Sequence, residues 1–313
     1  MLVILSGVPC REGPMNPSAT SVSSLVKDFV IDPSKYVQIR GDKNLISIIQ
    51  LGTVDYAIGL RLQQQLVALR KEDKIGDVLL LLEHTPVITL GRNAKAANVV
   101  ASPELLNKRG VELFECDRGG DVTFHGPGQL VGYPIFDLHG FAAADGKRKT
   151  LGVVEFVRRL EEVLMRTCGD FGIPTKRVAG LTGVWTDPNP VSSRAEESDS
   201  LANRSLQSRD LAFASTATNS ESKLAAIGVY VSRFVTSHGF ALNVNADLSY
   251  FNLIVPCGIT SKPVTSMQRE LGRELDLKAV AESIARNFGV VFQSQILWVD
   301  TLDALLGRTV CIP

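Results

Sequence analysis

This sequence has no net charge. Its 33 lysines and arginines balance 33 aspartates and glutamates, which leaves no electrostatic footprint for nucleic acid or an anionic membrane. It also lacks long apolar runs: Val78–Leu82 ends at Glu83 and His84, far short of the roughly 20 residues needed to span a bilayer. Five cysteines, Cys10, Cys116, Cys168, Cys257 and Cys311, are odd in number, widely spaced and without a C-x-x-C pair. That argues against a zinc site and a disulfide framework and suits a reducing compartment. No targeting signal is read: Met1–Pro9 has no basic residue, and residues 10–35 carry Glu12, Asp28 and Asp32 where a transit peptide avoids acids. The expectation is a loosely ordered leader over 1–36 and a cytoplasmic protein, with mitochondrion or plastid the alternatives for a eukaryotic source. At 313 residues and 45% hydrophobic, the chain has ample core for one large domain or two smaller ones.

Hydrophobic spacing supplies the elements. An opening strand is expected within 37–49. Ile58, Leu62, Leu66 and Leu69 share one helical face over 55–70, with Gln and Arg opposite. Val78–Leu82 is a continuous apolar run of the kind found in a buried strand. Ser102 caps a short helix that Gly110 stops, and 111–116 is a strand. Val153, Val157, Leu160 and Leu164 mark a helix over 150–171, ended by Gly172 and Pro174. Residues 223–231 and 237–245 pair as a hairpin, and 277–288 is an amphipathic helix. No repeat is evident. Between Trp185 and Lys223 the texture changes: 187–222 is rich in Ser, Asn, Ala and charge, without periodicity. Such a segment buries too little apolar surface to offset its ordering entropy, so it is expected as a disordered insertion inside one domain spanning 37–300. Residues 301–313 form a tail with no assigned role.

Two stretches carry chemistry. Arg118-Gly119-Gly120-Asp121-Val122-Thr123-Phe124-His125 continues into Gly126-Pro127-Gly128-Gln129, with glycines set among β-formers. Glycine in a strand pattern marks a bulge or a place where a ligand approaches backbone closely. Arg118 and His125 bracket these glycines as hydrogen-bond donors for an oxygen of an extended acyl ligand. The second stretch is Pro256-Cys257-Gly258. A single cysteine is more often buried and inert, but Gly258 leaves this sulfur open and offers an adjacent N–H suited to an oxyanion. A nucleophilic cysteine also needs a neighbouring cation or base. Lys223, the one charge opening an apolar strand, is the candidate, although a lysine at a loop end more commonly sits on the surface. Two unit charges 4 Å apart interact by about 4 kcal/mol at an effective dielectric of 20, enough to make the thiolate dominant. His125 is the histidine best placed for substrate; His84 and His238 each neighbour a turn or a glycine, where they can satisfy backbone groups, and His139 has no supporting context.

These blocks, with Lys223-Leu-Ala-Ala-Ile-Gly-Val, Ser237-His-Gly-Phe-Ala-Leu-Asn-Val-Asn and Ile254-Val-Pro-Cys-Gly-Ile, resemble the signature blocks of octanoyltransferases, the lipoate–protein ligase B family. Glu83-His84-Thr85-Pro86-Val87, Gly91-Arg92 and Val264-Thr265-Ser266 match as well, so the likeness covers about 45–292 apart from the insertion. The resemblance implies an α/β (α+β) fold, a mixed β-sheet with packed helices as in biotin and lipoate protein ligases. It implies transfer of octanoyl, or lipoyl, from acyl carrier protein to a lysine of apo lipoyl domains through a cysteine thioester. The acceptors would be the E2 subunits of 2-oxoacid dehydrogenases and the glycine cleavage H protein. Matched position by position, Cys257 would carry the acyl group and Lys223 would activate it. Arg118, Gly119, Gly120, Asp121, Val122, Thr123, Phe124, His125, Ala226, Ile227, Gly228, Gly239, Phe240 and Ala241 would line the acyl pocket. The reaction needs no cofactor, no metal, no nucleic acid and no membrane, and a monomer suffices.

Three rival readings are separable. An ATP-dependent lipoate or biotin ligase of the same fold would use a nucleotide; a Gly-Arg-Gly-Arg adenylate loop, as in biotin ligases, is missing here. A non-catalytic binder of lipoyl domains or acyl carriers would have no need of Cys257 and Lys223. A cysteine hydrolase would release free octanoate faster than it forms amide.

Overall fold

The structure is a computed structural model that describes residues 44–143, 150–188 and 221–306. The expected leader, the interior of the Ser-rich insertion and the last residues of the tail lie outside those ranges.

Strand β1 (Leu45–Val54) leads into helix α1 (Tyr56–Lys71), capped by Asp55, whose carboxylate accepts from the amides of Ala57 and Ile58 at 2.9 and 3.2 Å. Strands β2 (Asp77–His84) and β3 (Val87–Leu90) flank the Thr85-Pro86 break. Helix α2 (Pro103–Arg109) starts on the Ser102 cap and stops at Gly110, which is left-handed at φ 63°, as its sequence signals indicate. Strands β4 (Glu112–Glu115), β5 (Val122–His125) and β6 (Gln129–Ile135) follow. Helix α3 (Val153–Asp170) precedes β7 (Thr175–Val178) and β8 (Leu181–Thr186). The expected hairpin is β9 (Lys223–Ser232) and β10 (Val235–Asn243). Its two-residue turn, Arg233-Phe234, has positive φ at both positions, the geometry that matches strand twist in a tight hairpin. Helices α4 (Met267–Leu271) and α5 (Leu277–Phe292), strand β11 (Gln295–Trp298) and helix α6 (Leu302–Leu305) complete the described chain.

Eight strands form one mixed sheet in the order β11-β1-β2-β6-β10-β9-β8-β7, and β4-β3-β5 form a second. Strand β1 is parallel to β2 and β11, while the other neighbours in the large sheet are antiparallel. Strand β2 shows why the large sheet is covered twice. Leu79 and Leu81 enter the core beneath α3 and α5, whereas Val78, Leu80 and Leu82 enter the core beneath α1. Because successive side chains point to opposite faces, a continuous apolar run is what a strand between two helical layers needs. The first core is rich in phenylalanine: Phe136 and Phe292 each meet the other and both Phe156 and Phe288 in edge or stacked contact. A third core lies under the small sheet, built from Ile88, Val122, Phe124, Leu106 and Phe251.

Three local expectations are corrected. The buried face of α3 is formed by Phe156, Leu160, Val163 and Leu164, while Val153 at its start is 45% exposed. Gln63, expected on the polar face of α1, is buried, and its carbonyl accepts from the His238 amide at 2.8 Å. The tail is not idle, since Leu302 and Leu306 pack into the core beneath α1. Leu306→Ala should therefore cost about 2–3 kcal/mol, read as a lowered urea midpoint at unchanged m; a midpoint equal to wild type would contradict this packing.

Candidate active site

The insertion leaves β8 and returns at the first residue of β9, and its described ends are tied together. The Thr186 amide donates to the Ser222 carbonyl and the Ser222 amide to Thr186 Oγ1, each at 2.9 Å. Lys223 follows at once and is only 7% exposed, so the commoner surface placement does not apply. Its Nζ lies 3.1 Å from Cys257 Sγ and 5.3 Å from the centre of the Trp185 ring. Gly183 makes room for it: a Cβ there would stand 2.9 Å from Lys223 Cε and 2.5 Å from the Ala225 carbonyl oxygen. The nearby carboxylate of Glu221 is paired with Lys176 and Lys262 instead. Among the described residues no carboxylate forms an ion pair with Lys223.

Cys257 sits on a single tight turn, Pro256–Gly258, with φ 56° and ψ 19°. A left-handed backbone costs a non-glycine residue roughly 1–2 kcal/mol and persists where the surroundings over-determine it. Here they do. The Val255 amide donates to the Asn98 carbonyl at 2.7 Å, and Asn98 Nδ2 donates to Asp121 Oδ2 at 2.5 Å. Asp121 Oδ1 in turn accepts from the amides of Val122 and Lys95. Asp121 thus clamps the cysteine turn to the glycine stretch. Gly258 is needed because a Cβ would come 2.8 Å from Asp121 Oδ2. One expectation fails: the Gly258 amide donates to the Val255 carbonyl at 3.0 Å, so it is not available to an oxyanion.

The glycine stretch forms the roof of a narrow cavity, about 50 Å³, over β9 and β10. The Gly119 amide donates to the Val229 carbonyl at 3.1 Å, and Gly91, Arg92 and Asn93 donate to carbonyls of the same loop. Arg118, expected to reach a ligand oxygen, braces this loop: its guanidinium donates to Thr89, Gly119 and Asp121. The cavity brings together Arg118, Gly119, Gly120, Asp121, Thr123, His125, Ala226, Ile227, Gly228, Gly239, Phe240, Ala241 and Cys257. Val122 and Phe124 do not belong with them. Strand alternation turns both into the third core, where Phe124 stacks on Tyr250 at 4.7 Å. Lys223 and Cys257 share a smaller adjoining pocket with Thr123, Ala226 and Ala241. Tyr56, Val131, Tyr133 and His238 also line the main cavity. Sequence reasoning missed Tyr56, Val131 and Tyr133 because each reads as an ordinary core residue of its helix or strand.

Hydrogen bonding fixes the histidine tautomers by elimination. Asn243 Nδ2 donates to the Thr265 carbonyl at 2.9 Å, so its Oδ1 accepts from Gln129 Nε2 at 2.8 Å. Gln129 Oε1 then accepts from His125 Nδ1 at 2.7 Å, leaving the His125 Nε2 lone pair unprotonated. His125 is therefore an acceptor at that nitrogen and not the donor expected. His84 Nδ1 donates to the Val54 carbonyl at 2.8 Å, and its Nε2 accepts from the Tyr133 hydroxyl at 2.6 Å. Burial holds His84 down at about 4, and burial with His84 and Arg118 nearby holds His125 down at about 3. Burial raises the phenols of Tyr56 and Tyr133 above their ordinary range.

The family model of the lipoyl protein ligase A/B catalytic domain matches residues 55–289. The chain is 56% identical to an octanoyltransferase of Koribacter versatilis, over 86% of this chain and 93% of the relative. It is 51% identical to an octanoyltransferase of Acidobacterium capsulatum, over 84% and 96% respectively. Among solved structures, the bipartite lipoate protein ligase of Thermoplasma acidophilum aligns with a TM-score of 0.56 at 14% identity, covering 83% of this chain and 90% of that one. That likeness shows the lipoate ligase fold.

Of the three buried histidines, all shifted down by burial, His84 and His125 have the lowest values and contribute most to a pH dependence of stability. Both have folded values below their ordinary 6.5, so the unfolded chain takes up protons first. Stability is complete above pH 6.5 and is lost as pH falls from 6.5 toward 3–4, at up to about 1.4 kcal/mol per pH unit per histidine. Urea midpoints of wild type, His84→Gln and His125→Gln between pH 7 and 5 should show a shallower slope in each variant; equal slopes in all three would refute it.

Proposed function

Because this chain belongs to the octanoyltransferase family, the acyltransferases of lipoate biosynthesis, we propose that it carries the octanoyl group on Cys257 and uses Lys223 as the proton shuttle for both half-reactions. The observation that supports this reading is the 3.1 Å approach of Lys223 Nζ to Cys257 Sγ, with no carboxylate competing for the ammonium among the described residues. At that separation a thiolate and an ammonium attract by about 5 kcal/mol at an effective dielectric of 20, before desolvation.

In the first half-reaction Cys257 Sγ, as thiolate, attacks the carbonyl carbon of an acyl thioester borne by acyl carrier protein. The new C–S bond forms, the old one breaks, and the departing thiolate takes its proton from the Lys223 ammonium. Lys223 is left as a neutral amine beside the enzyme thioester. In the second, the neutral amine of an acceptor lysine attacks the same carbonyl. Lys223 takes the proton that this nitrogen sheds, and Cys257 departs as thiolate. The starting ion pair is restored and an amide is formed. The first exchange is close to isoenergetic and the second runs downhill, so no nucleotide is consumed. Trp185 suits this cycle, because a π face steadies a cation without accepting its proton, as a carboxylate would.

The donor is octanoyl-acyl carrier protein, and the acceptors are apo lipoyl domains of 2-oxoacid dehydrogenases and the glycine cleavage H protein. No helix among the described residues is long and apolar enough to cross a membrane, and we assign the enzyme to the cytoplasm.

Incubation of the protein with octanoyl-acyl carrier protein, read by intact mass, should add one octanoyl group that hydroxylamine removes. Cys257→Ala should add none. Lys223→Met should form the adduct at least tenfold more slowly, and apo lipoyl domain should discharge the wild-type adduct. An ATP requirement for labelling would replace this reading with that of a ligase.

A further inference from the structure

The main cavity is lined by both Cys257 and His238. Along the β9–β10 pair the lining runs from Ala226 opposite Ala241, through Gly228 opposite Gly239, to His238 opposite Val229. Ala241 also lines the small pocket around Lys223 and Cys257. From Ala241 to His238 is three positions of strand, roughly 10 Å at the usual rise, comparable to the reach of an extended eight-carbon chain.

Beyond His238 lies a second cavity of about 280 Å³, a groove between α1 and the β9–β10 hairpin. Leu60, Val67, Ala68 and Val235 give it apolar walls. His238 is the one residue that lines both cavities. Its ring is 3% exposed and meets the Tyr133 ring edge-on at 6.4 Å on the pocket side. On the other side its Nε2 bonds Asp117 Oδ1 at 2.7 Å, and Asp117 is 58% exposed. The His238 backbone is left-handed (φ 54°), held there by the bond from its amide to Gln63 Oε1. The residue is therefore held at three points, the ring by Asp117 and Tyr133 and the left-handed backbone by Gln63.

We propose that His238, latched by Asp117, is the end wall of the acyl pocket and sets the length of acyl chain the enzyme accepts. The proposal rests on the reading of Cys257 as the acyl carrier. An octanoyl tail ends against the imidazole. A longer chain has to displace the ring, breaking its bond to Asp117, before it reaches the apolar groove beyond. Removing the ring joins the pocket to the groove and gives the additional carbons an apolar place to lie.

The test compares rates of Cys257 acylation by hexanoyl-, octanoyl-, decanoyl- and dodecanoyl-acyl carrier protein, followed by intact mass. In His238→Ala the dodecanoyl-to-octanoyl rate ratio should rise at least tenfold over wild type. In Asp117→Ala, an exposed substitution that leaves the ring present but unlatched, it should rise severalfold. Adding Ala68→Phe to His238→Ala should fill the groove and return the ratio toward wild type. Asp117→Ala carries the test alone if His238→Ala does not fold. An unchanged ratio in variants that still acylate, or an equal loss at every chain length, overturns the proposal. Absence of any adduct in wild type overturns the reading of Cys257 and the proposal with it.

Discussion

A lysine buried against a cysteine, with no carboxylate paired to it among the described residues, is the constraint on which the rest of this structure depends. Burying a cation without an anion is costly, and the fold meets that cost with the Trp185 ring and the sulfur of Cys257. A carboxylate in the same place would steady the lysine more strongly but would hold its proton. Glu221 is close enough in sequence to serve, yet Lys176 and Lys262 engage it, and Lys262 also lies 5.9 Å from the Trp185 ring centre. That carboxylate is thereby occupied away from Lys223.

Positioning the sulfur requires the two sheets to meet. The large sheet supplies Lys223 and the floor of the cavity beside Cys257 through β9 and β10. The small sheet supplies the roof, and Asp121 joins that roof to the turn carrying Cys257. Arg118 works within the roof, spending its donors on Thr89, Gly119 and Asp121, so that a loop rich in glycine keeps one shape. Glycine at 119, 228 and 239 lets backbones come close enough for the cavity to be narrow; a Cβ on Gly228 would stand 2.7 Å from the Gly119 carbonyl oxygen.

Much of this was legible in the residues, and the limits have physical causes. Helix α1, the buried strand β2 and the β9–β10 hairpin followed from periodicity, because each has one dominant spacing and clear end signals. Cys257 and Lys223 stood out as a pairing because a charge opens an apolar strand and glycine follows the cysteine. What could not be read is which donors the fold has already used. Arg118, His125 and the Gly258 amide are all capable donors in the sequence, and each is committed elsewhere or presents a lone pair in the structure. Val122 and Phe124 sit inside the signature stretch, but strand alternation sends them to a different core. Gln63 and His238 read as a polar helix position and a strand residue beside a glycine. Their partnership spans α1 and β10, a separation that periodicity does not report.

The central claim, that Lys223 keeps Cys257 supplied as thiolate, is tested most directly by alkylation in the absence of any substrate. Iodoacetamide modification of Cys257, located by peptide mass, would be timed in wild type and Lys223→Met from pH 6 to pH 10. The account predicts that wild type reacts at least tenfold faster at pH 7. The two rates should draw together as the pH approaches 10. Equal rates at pH 7 would contradict it and leave the 3.1 Å approach of Lys223 to Cys257 without a part in the chemistry.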